Sequence, residues 1–303
     1  MERLSLEFRK QVTTAVKDAR RRYAGSDAQF AEEMKVNVSV LQRILNNDIE
    51  ELDYDNMWLS MASKMKLSTN TDDWVAAKTK VYAEIKSNLE FCKEYAKSMI
   101  LIDECGIGKS YSARHVLSSM RNGFYVDCSQ GKSRIQFVRL IARSIGMDDR
   151  GRYVDIKNNL KYYINNILDK PIIVLDDAGY LDYPSFLEVQ ELWNATENKC
   201  AWYMIGDDSL QSKIEKGISS SRVGYKAIFS RFLDEYIHIT PAGKENRLAF
   251  QKQLITDVAA VNVADKRKIN PIVKKVTGKK STLRYLKMIV QHTNSNQDAQ
   301  QDN

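Results

Sequence analysis

"ILIDECGIGKSYSA", Ile100–Ala113, decides the fold. An apolar run ends in a glycine-rich turn, and a lysine and a serine then open what reads as a helix. This is the G-x-x-x-x-G-K-[ST] pattern of a phosphate-binding loop, in the strand–loop–helix context that the pattern requires. Gly106 and Gly108 let the backbone curl so that its N–H groups face phosphates. The helix that follows adds its N-terminal dipole. Lys109 is the residue that reaches the β- and γ-phosphates, and the Ser110 hydroxyl is the Mg²⁺ ligand. The expected nucleotide contacts are therefore Cys105, Gly106, Ile107, Gly108, Lys109, Ser110 and Tyr111, with ATP and Mg²⁺ as the bound species. One residue departs from the pattern: the leading glycine is Asp103. Aspartate tolerates unusual backbone angles better than most residues, but its charge is a liability if it faces the γ-phosphate.

Downstream, short apolar runs alternate with helical patterns. "MILID" (99–103), "GFYVDCS" (123–129), "PIIVLDDAG" (171–179), "CAWYMIGDD" (200–208) and "EYIHIT" (235–240) read as strands. "IQFVRLIARSIGM", "YVDIKNNLKYYINNIL" and "FLEVQELWNAT" read as helices between them. Such alternation predicts a parallel sheet covered by helices on both faces. The third strand ends in Asp176 and Asp177, adjacent acids that either hold Mg²⁺ through water and activate a water molecule or simply cap a loop. After Pro241 the patterns are all helical, and the polar "NSNQDAQQDN" (294–303) predicts disorder.

Ahead of the core, "GSDAQFAEEMKVNVSVLQRILNN" (25–47) reads as two short helices joined by a tight turn, a helix-turn-helix. Ser26 is the expected N-cap of the first. The second would expose Asn37, Ser39, Gln42, Arg43 and Asn46, side chains suited to base edges and phosphates. A helical hairpin used only for packing has the same pattern. The expected organisation is a helix-turn-helix domain at 1–55, a connector at 56–75, an α/β core at 76–240, a helical lid at 241–293 and a disordered tail at 294–303.

The 303 residues carry a formal net charge of +7, with nine Lys or Arg and no acid between 266 and 287. That segment is expected to meet DNA or an acidic partner. The four cysteines form no C-x-x-C pair, which argues against a zinc site. No run approaches a membrane span and the start is charged rather than signal-like, so a cytoplasmic protein without membrane contact is expected.

In motif order the chain resembles the phage Mu transposition protein B (MuB)-like AAA+ ATPases, related to the TnsC-like and IstB-like transposition helpers. "FAEEMKVNVSVLQRILNN", "CGIGKS", "IIVLDDAGYL", "YMIGDD", "IFSRF" and "TLRYLK" carry the likeness, which covers most of the chain. The resemblance implies an AAA+ core with a C-terminal helical lid. Asp176 would hold Mg²⁺, Asp177 would polarise the lytic water in place of the usual glutamate, and Asp207 would stand at sensor 1 in place of asparagine. Arg231 would be the arginine finger, with Arg222 in reserve, and Arg284 the sensor 2 arginine. It implies self-association into an ATP-dependent helical filament or ring on double-stranded DNA, largely without sequence preference, and activation of a transposase. Lys132, Arg134, Arg150 and Arg152 would line the DNA. Three acids at unusual places imply slow hydrolysis. A helicase loader shares the core, and a helix-turn-helix regulator with a non-hydrolysing core remains open.

Overall fold

The computed structural model describes residues 4–23, 25–52, 54–65, 67, 74–278 and 282–301. The chain divides into two units, 1–74 and 75–303.

In the first unit, α1 (Leu6–Arg22), α2 (Asp27–Met34), α3 (Val38–Leu45) and α4 (Asp55–Lys64) surround one apolar core. Ser26 caps α2 in a reciprocal box: its Oγ accepts from Gln29 N at 3.3 Å, and Gln29 Oε1 accepts from Ser26 N at 2.9 Å. Lys35 then takes a left-handed conformation (φ 57°) that turns the chain, and Asn37 caps α3 through the Ser39 N–H. Ala31, buried between α2 and α3, leaves room for their close approach. The α2–α3 pair has the form of the expected helical hairpin. The expected connector at 56–75, however, begins with α4. Trp58, Met61 and Ala62 are buried in the same core, and the Trp58 indole donates to Leu52 O at 2.7 Å. A segment of mixed polarity concealed the helix, because only one narrow face of it is apolar.

In the second unit, α5 (Lys80–Tyr95) leads into β1 (Ser98–Ile102), the phosphate loop and α6 (Lys109–Ser118). Next come β2 (Gly123–Asp127), α7 (Arg134–Ile145), α8 (Tyr153–Asn166), β3 (Ile172–Asp176) and α9 (Tyr183–Ala195). The core closes with β4 (Ala201–Gly206), α10 (Asp208–Ser219), α11 (Tyr225–Arg231) and β5 (Tyr236–Ile237). All strand pairs are parallel, in the order β2-β3-β4-β1-β5. β3 is buried along its whole length and feeds both faces. Ile173 and Leu175 pack with α7, α8 and α9, whereas Ile172 and Val174 pack with α5 and α6. This two-sided burial is why the strand reads as a continuous apolar run.

β5 is shorter than the expected 235–240, and the reason is chemical. The Ile239 and Thr240 N–H groups do not join a ladder; they donate to the Asp103 carboxylate. Beyond it lies the lid: α12 (Lys244–Asn262), α13 (Ile269–Thr277) and α14 (Leu283–Gln301). The expected disordered tail is thus helical as far as Gln301. No helix among the described residues is long and apolar enough to cross a membrane.

Because Trp58 is fully buried, Trp58→Ala is expected to destabilise the first unit by about 3–5 kcal/mol. A fragment ending at residue 55 should stay unfolded where one ending at 74 folds. Urea melts followed by circular dichroism of the isolated fragments check both.

Candidate nucleotide site

The site lies at the carboxyl ends of β1, β3 and β4, which are adjacent in the sheet. From β1 the chain turns through Gly106 (φ 83°) and Gly108 (φ 97°), conformations that side chains strain to adopt. Gly108 is the N-cap of α6, so the amide end of that helix opens on the loop. Lys109 is nearly buried, and its Nζ donates to Asp103 O at 2.6 Å and Glu104 O at 2.8 Å. Burial pushes the lysine pKa down, while Cys105, Asp103, Asp176 and Asp207 pull it back up. The ammonium thus spans the loop that its phosphates would occupy.

Asp103 does not face that loop. Its Oδ2 accepts from Ile239 N at 2.6 Å and Thr240 N at 2.8 Å, and its Oδ1 accepts from Thr240 Oγ1 at 2.5 Å and Glu104 N at 2.7 Å. The carboxylate is buried but fully engaged, and it ties the start of the loop to the segment entering the lid. Glu104 continues the tie to α12, with Arg247 at 3.0 Å and Gln251 at 3.0 Å. The other end of the lid meets the glycines. Leu283 N donates to Gly106 O at 2.9 Å, and Thr282 and Leu283 fill the space where a Cβ on Gly106 or Gly108 would go. Arg284, exposed on the first turn of α14, is near enough to Cys105 to favour its thiolate, although burial and a hydrogen bond to Asp207 raise the thiol pKa overall.

Asp176 ends β3 in a buried position, with Oδ1 accepting from Asp177 N at 3.0 Å and Oδ2 from the Tyr125 hydroxyl. Asp177 follows in a left-handed conformation (φ 51°) and is exposed. Partial desolvation of its carboxylate raises its pKa, and the charges of Asp176, Asp127 and Asp207 raise it further. Asp207 is the N-cap of α10: Oδ1 accepts from Ser209 N at 3.0 Å and from Ser209 Oγ at 2.5 Å. Its other oxygen faces the Cys105 thiol at 3.5 Å. The residue is thus both a helix cap and a neighbour of the phosphate loop. Tyr125 is the neighbour that sequence reading missed. Nothing in "GFYVD" distinguishes a tyrosine that packs from one that also bonds a carboxylate two residues along the adjacent strand.

Among the described residues no cluster of three or more His, Cys, Asp or Glu could cage a metal. Mg²⁺ is commonly held by one or two carboxylates together with substrate phosphates. The hard oxygens of Asp176 and Ser110 fit such a role, and the bound ion would neutralise charge developing on the phosphates.

The remaining predicted residues have partners outside the phosphate loop. The Arg231 guanidinium donates to Asn194 Oδ1 at 2.6 Å and Ala227 O at 2.7 Å and lies over the Trp193 ring. Arg222 stacks on Tyr183 at 3.7 Å. Lys132 lies over Tyr180, and Arg134 lies over Tyr153 with Glu188 at 3.8 Å. Arg150 pairs with Asp148 at 3.0 Å and Arg152 with Asp155 at 2.8 Å. In the first unit Gln42 donates to Asp27 at 2.6 Å, Arg43 pairs with Asp48 at 2.7 Å, and the Ser39 hydroxyl donates to Asn37.

Residues 92–214 match the family profile described as the AAA domain. This segment resembles an AAA domain. Its fold is that of solved AAA+ proteins. The Aeropyrum pernix ORC2 protein, solved in ADPNP–ADP complexes, superposes with a TM-score of 0.53 at 14% identity, over 74% of this chain and 68% of that one. Cdc6p from Pyrobaculum aerophilum gives 0.54 at 14% identity, over 77% and 65%. The Aeropyrum pernix ORC1 protein in complex with DNA gives 0.52 at 13% identity, over 72% and 60%. The chain therefore spans less than two thirds of the last two proteins, and at such identities the likeness is one of fold. A comparison with curated protein sequences finds no match.

Two outcomes are expected. Asp103→Gly, which restores the usual residue, should destabilise the second unit by about 3 kcal/mol in urea melts, since it takes the acceptor from three backbone N–H groups and the Thr240 hydroxyl. Asp177→Asn should leave ATP binding intact and lower hydrolysis by about 100-fold or more. A raised pKa in the folded state means that the folded chain binds this proton more tightly than the unfolded chain does. The charged Asp177 therefore costs stability at neutral pH, and stability is gained as pH falls through the raised pKa. The asparagine variant should accordingly melt higher at pH 7. The acid limb of wild-type turnover should fall above the ordinary carboxylate range.

Proposed function

We propose that this AAA-like domain binds ATP and Mg²⁺ and hydrolyses ATP slowly. We propose further that the whole chain acts on double-stranded DNA as a target-selecting, transposase-activating ATPase of the MuB-like kind. The observation that carries the ATPase reading is the convergence of Lys109, Ser110, Asp176, Asp177 and Asp207 at the ends of adjacent strands, under a lid that touches the phosphate loop through Glu104 and Leu283. In this reading Lys109 leaves the Asp103 and Glu104 carbonyls for the phosphates, Ser110 and Asp176 hold the metal, and Asp177 takes the proton of the attacking water. Asp207 orients that water, and Arg284 approaches from the lid. Arg231, or Arg222 in reserve, serves a neighbouring copy in a filament or ring.

The transposition reading rests on motif order and on the helix-turn-helix ahead of the core. Its DNA contacts are Lys132, Arg134, Arg150 and Arg152 in the core, and Ser39, Gln42 and Arg43 in α3. The cationic members of this set now face acids or aromatic rings, and the arginine pairs with Asp148, Asp155 and Asp48 are solvent-exposed. Exposed pairs of this sort contribute little to stability, so phosphates can displace the acids. A second reading, an ATPase acting in replication initiation or helicase loading, is favoured by the fold likeness to the ORC and Cdc6 proteins.

Fluorescence anisotropy on a random-sequence duplex at fixed salt tests the proposal, with ATP, ADP or no nucleotide and with Lys109→Ala alongside. Cooperative, sequence-indifferent binding that needs ATP and is lost in the variant is the expected result. Binding that ignores nucleotide and prefers one sequence would overturn it in favour of a helix-turn-helix regulator.

A further inference from the structure

Tyr125 stands on β2, where no motif assigns a function. Its register partner on β3 is Val174, and Asp127 is opposite Asp176. Tyr125 and Asp176 are therefore diagonal neighbours, a separation that an aromatic side chain spans. Both lie on the face of the sheet that α5 and α6 cover, where Val174 and Ile172 are buried and Tyr125 packs at the margin. The phenol lies along that face and gives its proton to Asp176 Oδ2. Over the ring, at 5.2 Å from its centroid, lies the Arg114 guanidinium of α6. Arg114 is one turn beyond Ser110, and its Nε donates to Ser110 O at 3.3 Å. A continuous set of contacts thus joins the phosphate-loop helix to the acid at the end of β3.

We infer that Tyr125 is a positioning residue for metal binding, fixing the orientation of the Asp176 carboxylate, which together with Ser110 would hold Mg²⁺. The inference rests on the nucleotide-site reading above. Asp176 is almost wholly buried and receives one proton from the Asp177 backbone and one from Tyr125. Without the phenol, a buried carboxylate lacks a donor and compensates by rotating, by drawing in water or by taking a proton. Each response displaces the oxygen edge, and Mg²⁺ demands near-ideal octahedral geometry. Outer partners of metal ligands typically contribute 10- to 100-fold to metal affinity.

The test uses the full chain and a fluorescent ATP analogue, with binding measured in EDTA and across a Mg²⁺ titration. Tyr125→Phe keeps the ring and removes one oxygen. The variant is expected to bind the analogue in EDTA within twofold of the wild type, but to need about tenfold more Mg²⁺ for half-saturation. A merely structural tyrosine would weaken both conditions in parallel, and that result overturns the inference, as does an unchanged Mg²⁺ requirement. If Tyr125→Phe melts without cooperativity, Arg114→Ala carries the same test from the exposed side of the ring, with a rise of about threefold expected and no change overturning it. A wild-type chain that binds the analogue in neither condition sinks the nucleotide-site reading and this inference together. Wild-type binding that responds to Mg²⁺ and is matched by both variants overturns Tyr125 alone.

Discussion

A carboxylate that leaves water must be met by donors, and the demand of Asp103 organises the mouth of the candidate nucleotide site. The residue sits where a phosphate loop ordinarily has glycine, beside the oxygens that a nucleotide would bring. Had its charge pointed into the loop, it would have opposed the β- and γ-phosphates directly. It points instead to the opposite side and binds the Ile239 and Thr240 amides, the Thr240 hydroxyl and the Glu104 amide. Hydrogen bonds to a charged acceptor are stronger than neutral ones. They end β5 after two residues and set the point at which the chain departs for the lid. A glycine here would supply flexibility; the aspartate supplies a fixed joint.

That joint changes what the lysine can report. Lys109 holds the carbonyls of the same two residues, Asp103 and Glu104, whose side chains grip the lid entrance and α12. A phosphate that draws the ammonium away frees those carbonyls at the point where loop and lid are joined. The coupling runs through a contiguous set of hydrogen bonds. It has a plain energetic source, since the ammonium exchanges carbonyl partners for a charged one. The acids around the site set the opposing term. Asp176, Asp177 and Asp207 repel one another and any phosphate, and the raised pKa of Asp177 reflects partial desolvation together with that crowding. A metal ion relieves it. The same field that raises the Asp177 pKa favours a divalent cation beside these acids.

Much of this was legible in the sequence. The loop, the apolar β3 run and the order of motifs fix a parallel sheet with a nucleotide site at the carboxyl ends of its strands, because periodicity and glycine placement are local properties. What was not legible depended on partners distant in sequence. Whether Asp103 faced phosphate or lid turned on Ile239 and Thr240, more than a hundred positions away. Tyr125 looked like any strand tyrosine until β2 and β3 were set in register. Asp207 offered two readings, sensor and cap; one oxygen caps α10 and the other faces the Cys105 thiol. The helix Asp55–Lys64 escaped notice for another reason: its polarity is mixed and its flanks are acidic and polar, and the core formed with α1, α2 and α3 makes Trp58 an interior residue.

The surface cations deserve a different weighting from the one their sequence suggested. A run of Lys and Arg reads as free charge available to DNA, yet Arg43, Arg150 and Arg152 each face an acid within a few positions along the chain. Local acids of this kind lower the net field that a distant phosphate feels, so long-range steering is weaker than the count of cations implies. They cost little once contact is made, because the acid returns to water as the phosphate arrives. In the proposed reading such a surface would hold DNA only where several cations are engaged together. Self-association of copies along a duplex would supply that condition, and an isolated copy would not. In the proposed reading the nucleotide would act on DNA affinity chiefly by setting how many copies bind side by side, and only secondarily by changing the contacts that any one of them makes.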